Sequence, residues 1–101
     1  MKTRIYQIIP ELDIHHIKFM GFADMRQHYG GIVPAEIYGC VYDGTLQTQD
    51  LEEIFKLFNT ERPTGYKGHS LSVSDVVEQE DDCGNCRFFY CDVFGFQEVR
   101  F

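Results

Sequence analysis

His69, Ser70 and Asp75 bring the residue types of a hydrolase triad into seven consecutive positions. In a triad an acid orients a histidine, the histidine takes the serine proton, and the serine oxygen attacks a carbonyl. Those groups normally arrive from separate elements so that they converge on one bound substrate. Here they share a single stretch, 65–77, rich in glycine and serine. Such residues fold their side chains back onto nearby amides, and the spacing of Ser72 and Asp75 predicts a reciprocal exchange of side-chain and amide bonds like a capping box. The expectation is a structural hinge built from Gly65, Gly68, His69, Ser70, Ser72, Ser74 and Asp75, with no catalytic residue assigned. A small enzyme acting through His69, Ser70 and Asp75 is the alternative.

Gly65-Tyr66-Lys67-Gly68 carries the bare G-x-x-G of a nucleic-acid clamp and, with Ser70, part of a phosphate loop. A phosphate loop needs a longer glycine frame between a strand and a helix, and the clamp needs helices on both sides. This segment leads into strands, so an ordinary glycine turn is favoured. Cys83 and Cys86 have the two-residue spacer that lets both thiolates face one tetrahedral zinc ion. A second pair of ligands is not visible: His15 and His16 are adjacent and diverge, His28 and His69 are isolated, and Cys40 and Cys91 fall in predicted strands. Free thiols are expected, with no metal and no cofactor. Glu78, Glu80, Asp81 and Asp82 form an acidic cluster that either meets a basic partner or keeps a strand edge from pairing.

The elements that must position these groups read as follows. Residues 3–9 alternate as a strand that Pro10 stops. Residues 11–20 fit neither period and leave their conformation open, an extended connection that lays its apolar residues on the core being one reading. A helix is predicted over 22–29, with Phe22, Met25 and Tyr29 on one face. A strand follows over 36–42, with Tyr38, Cys40 and Tyr42 on one side and Asp43-Gly44 ending it. Leu51, Ile54, Phe55 and Phe58 stand at i, i+3, i+4 and i+7, the pattern of an amphipathic helix. Thr48 or Gln49 is expected to cap it, and Asn59 to end it near Phe58. Strands over 76–80, 87–93 and 96–101 then make a C-terminal meander, so the fold class is α+β, an antiparallel sheet packed against two helices.

A chain of 101 residues is expected to form a single domain. It is 44% hydrophobic and 15% aromatic, enough to build a core without staples. The net charge of −7, with nine scattered Lys and Arg residues, lacks the footprint of a phosphate binder, so direct nucleic-acid binding is not expected. An acidic protein can still imitate DNA, which leaves an antirestriction-like mimic as a further alternative. The apolar run at the N-terminus stops at Pro10 and Glu11, and no stretch approaches the roughly 20 apolar residues of a membrane span. A cytoplasmic protein with reduced cysteines is expected.

Leu51-Glu52-Glu53-Ile54-Phe55 with Phe58-Asn59 and Pro63, Gly68 through Val77, and Tyr90-Cys91-Asp92-Val93-Phe94-Gly95-Phe96 together resemble the YodL-like domain family. Ile5-Tyr6-Gln7-Ile8 and Val41-Tyr42-Asp43-Gly44 fit the same pattern, so the resemblance runs from the first strand to the last. It implies a small bacterial domain found in mobile-element or phage contexts, without an established activity and without catalytic residues to carry over. The leading expectation is a non-enzymatic module that binds an unidentified protein partner, with Glu78, Glu80, Asp81 and Asp82 as its interaction surface.

Overall fold

A computed structural model describes residues 1–101. It contains β1 (Lys2–Ile8), α1 (Phe22–Tyr29), β2 (Tyr38–Thr45), α2 (Leu51–Thr60), β3 (Val76–Glu80), β4 (Cys86–Cys91) and β5 (Phe96–Val99). The strands form one sheet in the order β2-β1-β3-β4-β5. Every neighbouring pair is antiparallel. The predicted α+β class and C-terminal meander are both present. No helix is long and apolar enough to cross a membrane.

Because side chains alternate across a strand, adjacent residues of β1 and β3 enter different cores. Ile5 and Val77 pack with Ile54 and Phe58 of α2. Ile8 and Val76 pack with Met25 of α1, Ile17 and Tyr90. The helices therefore cover opposite faces, and the sheet is the middle layer. Val76 and Val77 are both fully buried, as a strand covered on both faces requires.

Several local expectations change. Tyr38, Cys40 and Tyr42 do not share a side: the register passes from Ile5↔Tyr42 to Tyr6↔Cys40, which leaves Val41 as an extra residue in β2. A bulge of this kind reverses the face of everything beyond it. Tyr38 accordingly joins the α1 core and Tyr42 the α2 core. Nor do Asp43-Gly44 end the strand, since they pair with Arg4 and Thr3 inside it. Gly44 is needed there because a Cβ would lie 2.5 Å from the Tyr42 hydroxyl.

Asp50, not Thr48 or Gln49, caps α2. Its Oδ1 accepts from the amides of Glu52 at 2.9 Å and Glu53 at 3.4 Å, while Thr48 Oγ1 accepts from the Asp50 amide. The helix runs on to Thr60, and the left-handed residue after it is Arg62 at φ 47°, not Asn59. Residues 11–20 are not an extended strip on the core. Asp13 turns the chain by accepting from the amides of Ile17 and Lys18 at 2.8 and 2.9 Å. Ile17 is fully buried, whereas Ile14 and Phe19 face solvent.

Candidate functional site

The connection from α2 to β3 is fastened along its length to strands that lie far from it in the sequence. The Lys67 amide donates to the Val41 carbonyl at 3.0 Å. The His69 amide donates to Gln7 Oε1 at 3.2 Å, and Gln7 Nε2 donates to the His69 carbonyl at 2.9 Å. Tyr66 adds its hydroxyl to the same His69 carbonyl. Gly68 allows this approach: a Cβ there would stand 2.2 Å from Gln7 Oε1 and 3.0 Å from Val41 Cγ2. Gly65 serves differently, holding φ at +88° in open space.

Asp75 closes the segment. Its side chain is buried, and Oδ2 accepts from the Ser72 amide at 2.8 Å and from Gln7 Nε2 at 3.0 Å. The predicted exchange with Ser72 is therefore one-sided, because the Ser72 hydroxyl donates to the Ser70 carbonyl at 2.8 Å instead of returning to Asp75. Burial raises the Asp75 carboxyl from 3.8 to about 7 against the opposing pull of the Ser72 amide, Gln7 and the Lys18 charge. A carboxyl near neutrality is chemically capable of holding or releasing a proton.

The remaining contacts set what that carboxyl can act on. His69 Nδ1 lies 2.7 Å from the Ser70 carbonyl. A carbonyl only accepts, so Nδ1 carries the proton and Nε2 is the acceptor, facing Lys18 Nζ at 3.2 Å. Lys18 Nζ also donates to the Ile8 carbonyl at 3.1 Å. The Ser70 hydroxyl accepts from Arg62 at 3.4 Å. Thus histidine, serine and aspartate side chains each bond elsewhere: His69 to a backbone carbonyl and a lysine, Ser70 to an arginine, Asp75 to a glutamine and an amide. The arrangement ties β1, the 11–20 connection and the 65–77 segment together. Ser74 extends it, fully buried at φ 82°, with Oγ accepting from the Phe19 amide and its carbonyl accepting from the Tyr38 hydroxyl at 2.6 Å.

The acidic residues divide into two environments at the far end of the sheet. Glu78 is buried on the α1 face, where it accepts from Arg4 at 2.7 Å and from the Tyr6 hydroxyl at 2.6 Å. Glu80 takes a second bond from Arg4 at 3.1 Å. Burial pushes the ionisation of the Tyr6 phenol upward, and the Glu78 carboxylate bonded to it adds to the shift. Asp81 and Asp82 are exposed in the β3–β4 turn. Asp81 shapes that turn, its Oδ1 accepting from the amides of Cys83 and Asn85 at 2.9 Å each, and those bonds hold its carboxyl below the ordinary range. Asp82 projects from the turn that Asp81 shapes.

Cys83 and Cys86 are exposed and unlinked, as is Cys40, while Cys91 is buried. Cys86 turns its sulfur toward Glu78 and Glu80, with the ligand atoms of the three within 4.8 Å of one another. Arg4 already bonds both of those carboxylates, and they raise the Cys86 thiol. Burial pushes the Cys91 thiol up to about 12.

Sequence reasoning missed Gln7, Lys18, Tyr66 and Arg4, each of which reaches its partners across long stretches of chain. Arg4 could have been paired with the acidic run from charge alone. Gln7 offered no signal beyond being a polar residue in a strand whose neighbours are apolar. The YodL-like domain family model matches residues 2–101 of the chain. No curated protein matches it, and no solved structure does.

Proposed function

We propose that this chain, which belongs to the YodL-like domain family, works as a non-enzymatic protein-interaction module that meets a basic partner at the β3–β4 turn. The observation that carries this reading is the pre-formed acidic tip. Asp81 pins the turn through the amides of Cys83 and Asn85 and through the Asn85 side chain, so Asp82 is displayed on a fixed backbone. A surface ordered before contact loses less entropy on binding than a floppy one. The chain's net charge of −7 adds a long-range pull on positively charged surfaces. Glu80, half-engaged by Arg4, contributes at the margin.

The test is affinity capture from lysate of the source cells with mass spectrometry, run in parallel with a Glu80→Gln/Asp82→Asn variant. Asp81 is left intact because it holds the turn. The reading expects a basic protein whose recovery falls in the variant and with added salt, since exposed charges are screened over roughly 10 Å at 0.1 M ionic strength. A partner recovered equally by both proteins at low salt sinks this placement of the surface.

A further inference from the structure

The α2 face of the sheet is not wholly covered by α2. From the β3–β4 turn, past the first turn of that helix and across β4 to the β4–β5 turn, runs a row of three adjoining shallow hollows, together a trough. It opens beside Asp81 and Asp82 as a cavity of about 260 Å³. It widens to about 530 Å³ over Phe89 and Phe96, and it ends in a further 260 Å³ beside Val93 and Phe94. Gln49 lines the first and second of these spaces, and Glu52 and Phe96 line the second and third, so neighbouring spaces share walls.

The trough follows β4, whose ends carry the β3–β4 and β4–β5 turns. β4 has six residues, which at about 3.3 Å each makes a run of about 20 Å. Its two ends differ in chemistry. One carries the carboxylates of Asp81 and Asp82. The other carries Phe94, 90% exposed, and Val93, 61% exposed. Along the way the walls are acidic at Asp50 and Glu52, and the cation among them, Arg87, is held by Glu98 at 2.8 and 3.0 Å.

We propose that this trough seats an extended segment of a protein partner, with basic side chains at the Asp81–Asp82 end and apolar side chains at the Val93–Phe94 end. The proposal rests on the interaction-module reading and gives it a groove, a ligand conformation and a polarity. Charge complementarity selects the basic end, and the exposed apolar pair selects the other. An apolar pair left in water beside a cleft is what a partner's side chains cover. The length of the trough fits about six residues of extended chain.

The test uses two fluorescein-labelled octapeptides, Lys-Lys-Ser-Ser-Ser-Leu-Phe-Leu and its reverse, since either chain direction satisfies the polarity. Binding is read by anisotropy in low salt, and the site by amide chemical-shift mapping. One of the two peptides is expected to bind with shifts concentrated at 79–82, 87–89 and 93–96. Phe94→Ser and Asp82→Lys, at exposed positions where the fold is indifferent, each weaken it by about fivefold or more. Glu36→Lys, exposed on the other side of the sheet, leaves it unchanged. Shifts centred elsewhere, or unaltered binding in both trough variants, overturn the trough. So does failure of both peptides to bind at about 1 mM. If peptide binding fails while a basic partner is still captured through Asp82, only the trough falls; if both fail, the interaction reading falls with it.

Discussion

Gln7 and Asp75, separated by 68 positions in the chain, meet through a 3.0 Å bond from Nε2 to Oδ2. The glutamine amide simultaneously clasps both backbone groups of His69. One side chain on a central strand therefore fixes the course of the connection that leads into the next strand of the sheet. Buried polar groups joined in this way are costly to disturb, because each one left alone loses its partner without regaining water.

Asp75 should make stability fall as pH rises. Its folded-state carboxyl titrates near 7 against 3.8 in the ordinary case, so the folded chain binds the proton more tightly. The contribution is fully present below about pH 4 and is lost as pH rises through about 7, a total on the order of 4 kcal/mol. Asp75→Asn keeps an acceptor for the Ser72 amide and removes the charge. Its denaturation midpoint should vary less between pH 4 and 8 than that of the wild type and exceed it at pH 8. Asp75→Ala also removes the acceptor and should lie below Asp75→Asn by about 1 to 3 kcal/mol at each pH. A wild-type profile as flat as that of the asparagine variant refutes the assignment.

The two glycines of the connection should respond to alanine for different reasons. Gly65→Ala meets no neighbour but must hold φ at +88°, a backbone cost of about 1 kcal/mol. Gly68→Ala drives its methyl into Gln7 and breaks the clasp on His69, which should cost about 2 to 3 kcal/mol. Urea unfolding of both variants checks the order, and Gly65→Ala proving the worse of the pair counts against the clasp.

Ser74 offers a separation of strain from bonding. Ser74→Ala keeps the left-handed backbone at φ 82° and loses the bond to the Phe19 amide, so it should cost about 1 to 2 kcal/mol. Ser74→Gly loses the same bond but relieves the backbone, and should stay within about 0.5 kcal/mol of the wild type. Equal melting temperatures for the two variants would show that the backbone there carries no strain.

Arg4 and Arg87 contrast an ion pair made to a buried carboxylate with one exposed on both sides. Arg4→Ala leaves the buried Glu78 carboxylate without its 2.7 Å partner and should cost about 3 kcal/mol. Arg87→Ala breaks a pair whose side chains are 62% and 52% exposed and should cost far less, because water and salt screen such a pair. Chemical denaturation ranks them directly.

What could be read from the residues in order was the local part of the structure. The i, i+3, i+4, i+7 spacing of Leu51, Ile54, Phe55 and Phe58 specified α2, and Gly84-Asn85 specified the turn between β3 and β4, because those signals lie within a few neighbouring residues of chain. The bulge at Val41 was invisible: it exists only in the pairing of β2 with β1, and neither strand alone encodes it. Residues 11–20 were illegible for a similar reason. Their conformation comes from one aspartate bonding amides four and five positions onward, which leaves no periodic trace. The 65–77 stretch was legible as a turn-rich connection, while its partner Gln7 was not. Glu78, Glu80, Asp81 and Asp82 could be seen as a charged run, but the alternation that sends Glu78 inward to Arg4 emerged only with the register of β1 against β3.

The sheet order also governs the sequence of events during synthesis. When the ribosome has released residues through α2, β1 and β2 can already zip together, since both are out. The other edge of β1 must wait until 76–80 emerge, and through that interval its amides and carbonyls stand open beside Ile5 and Ile8, whose cores are half built. The nascent chain thus carries a sticky, unfinished margin while residues 61–80 emerge, which is when non-local strand pairing is most exposed to competition from neighbouring chains. A chaperone that shields that margin would act in this window, after α2 has emerged and before β3.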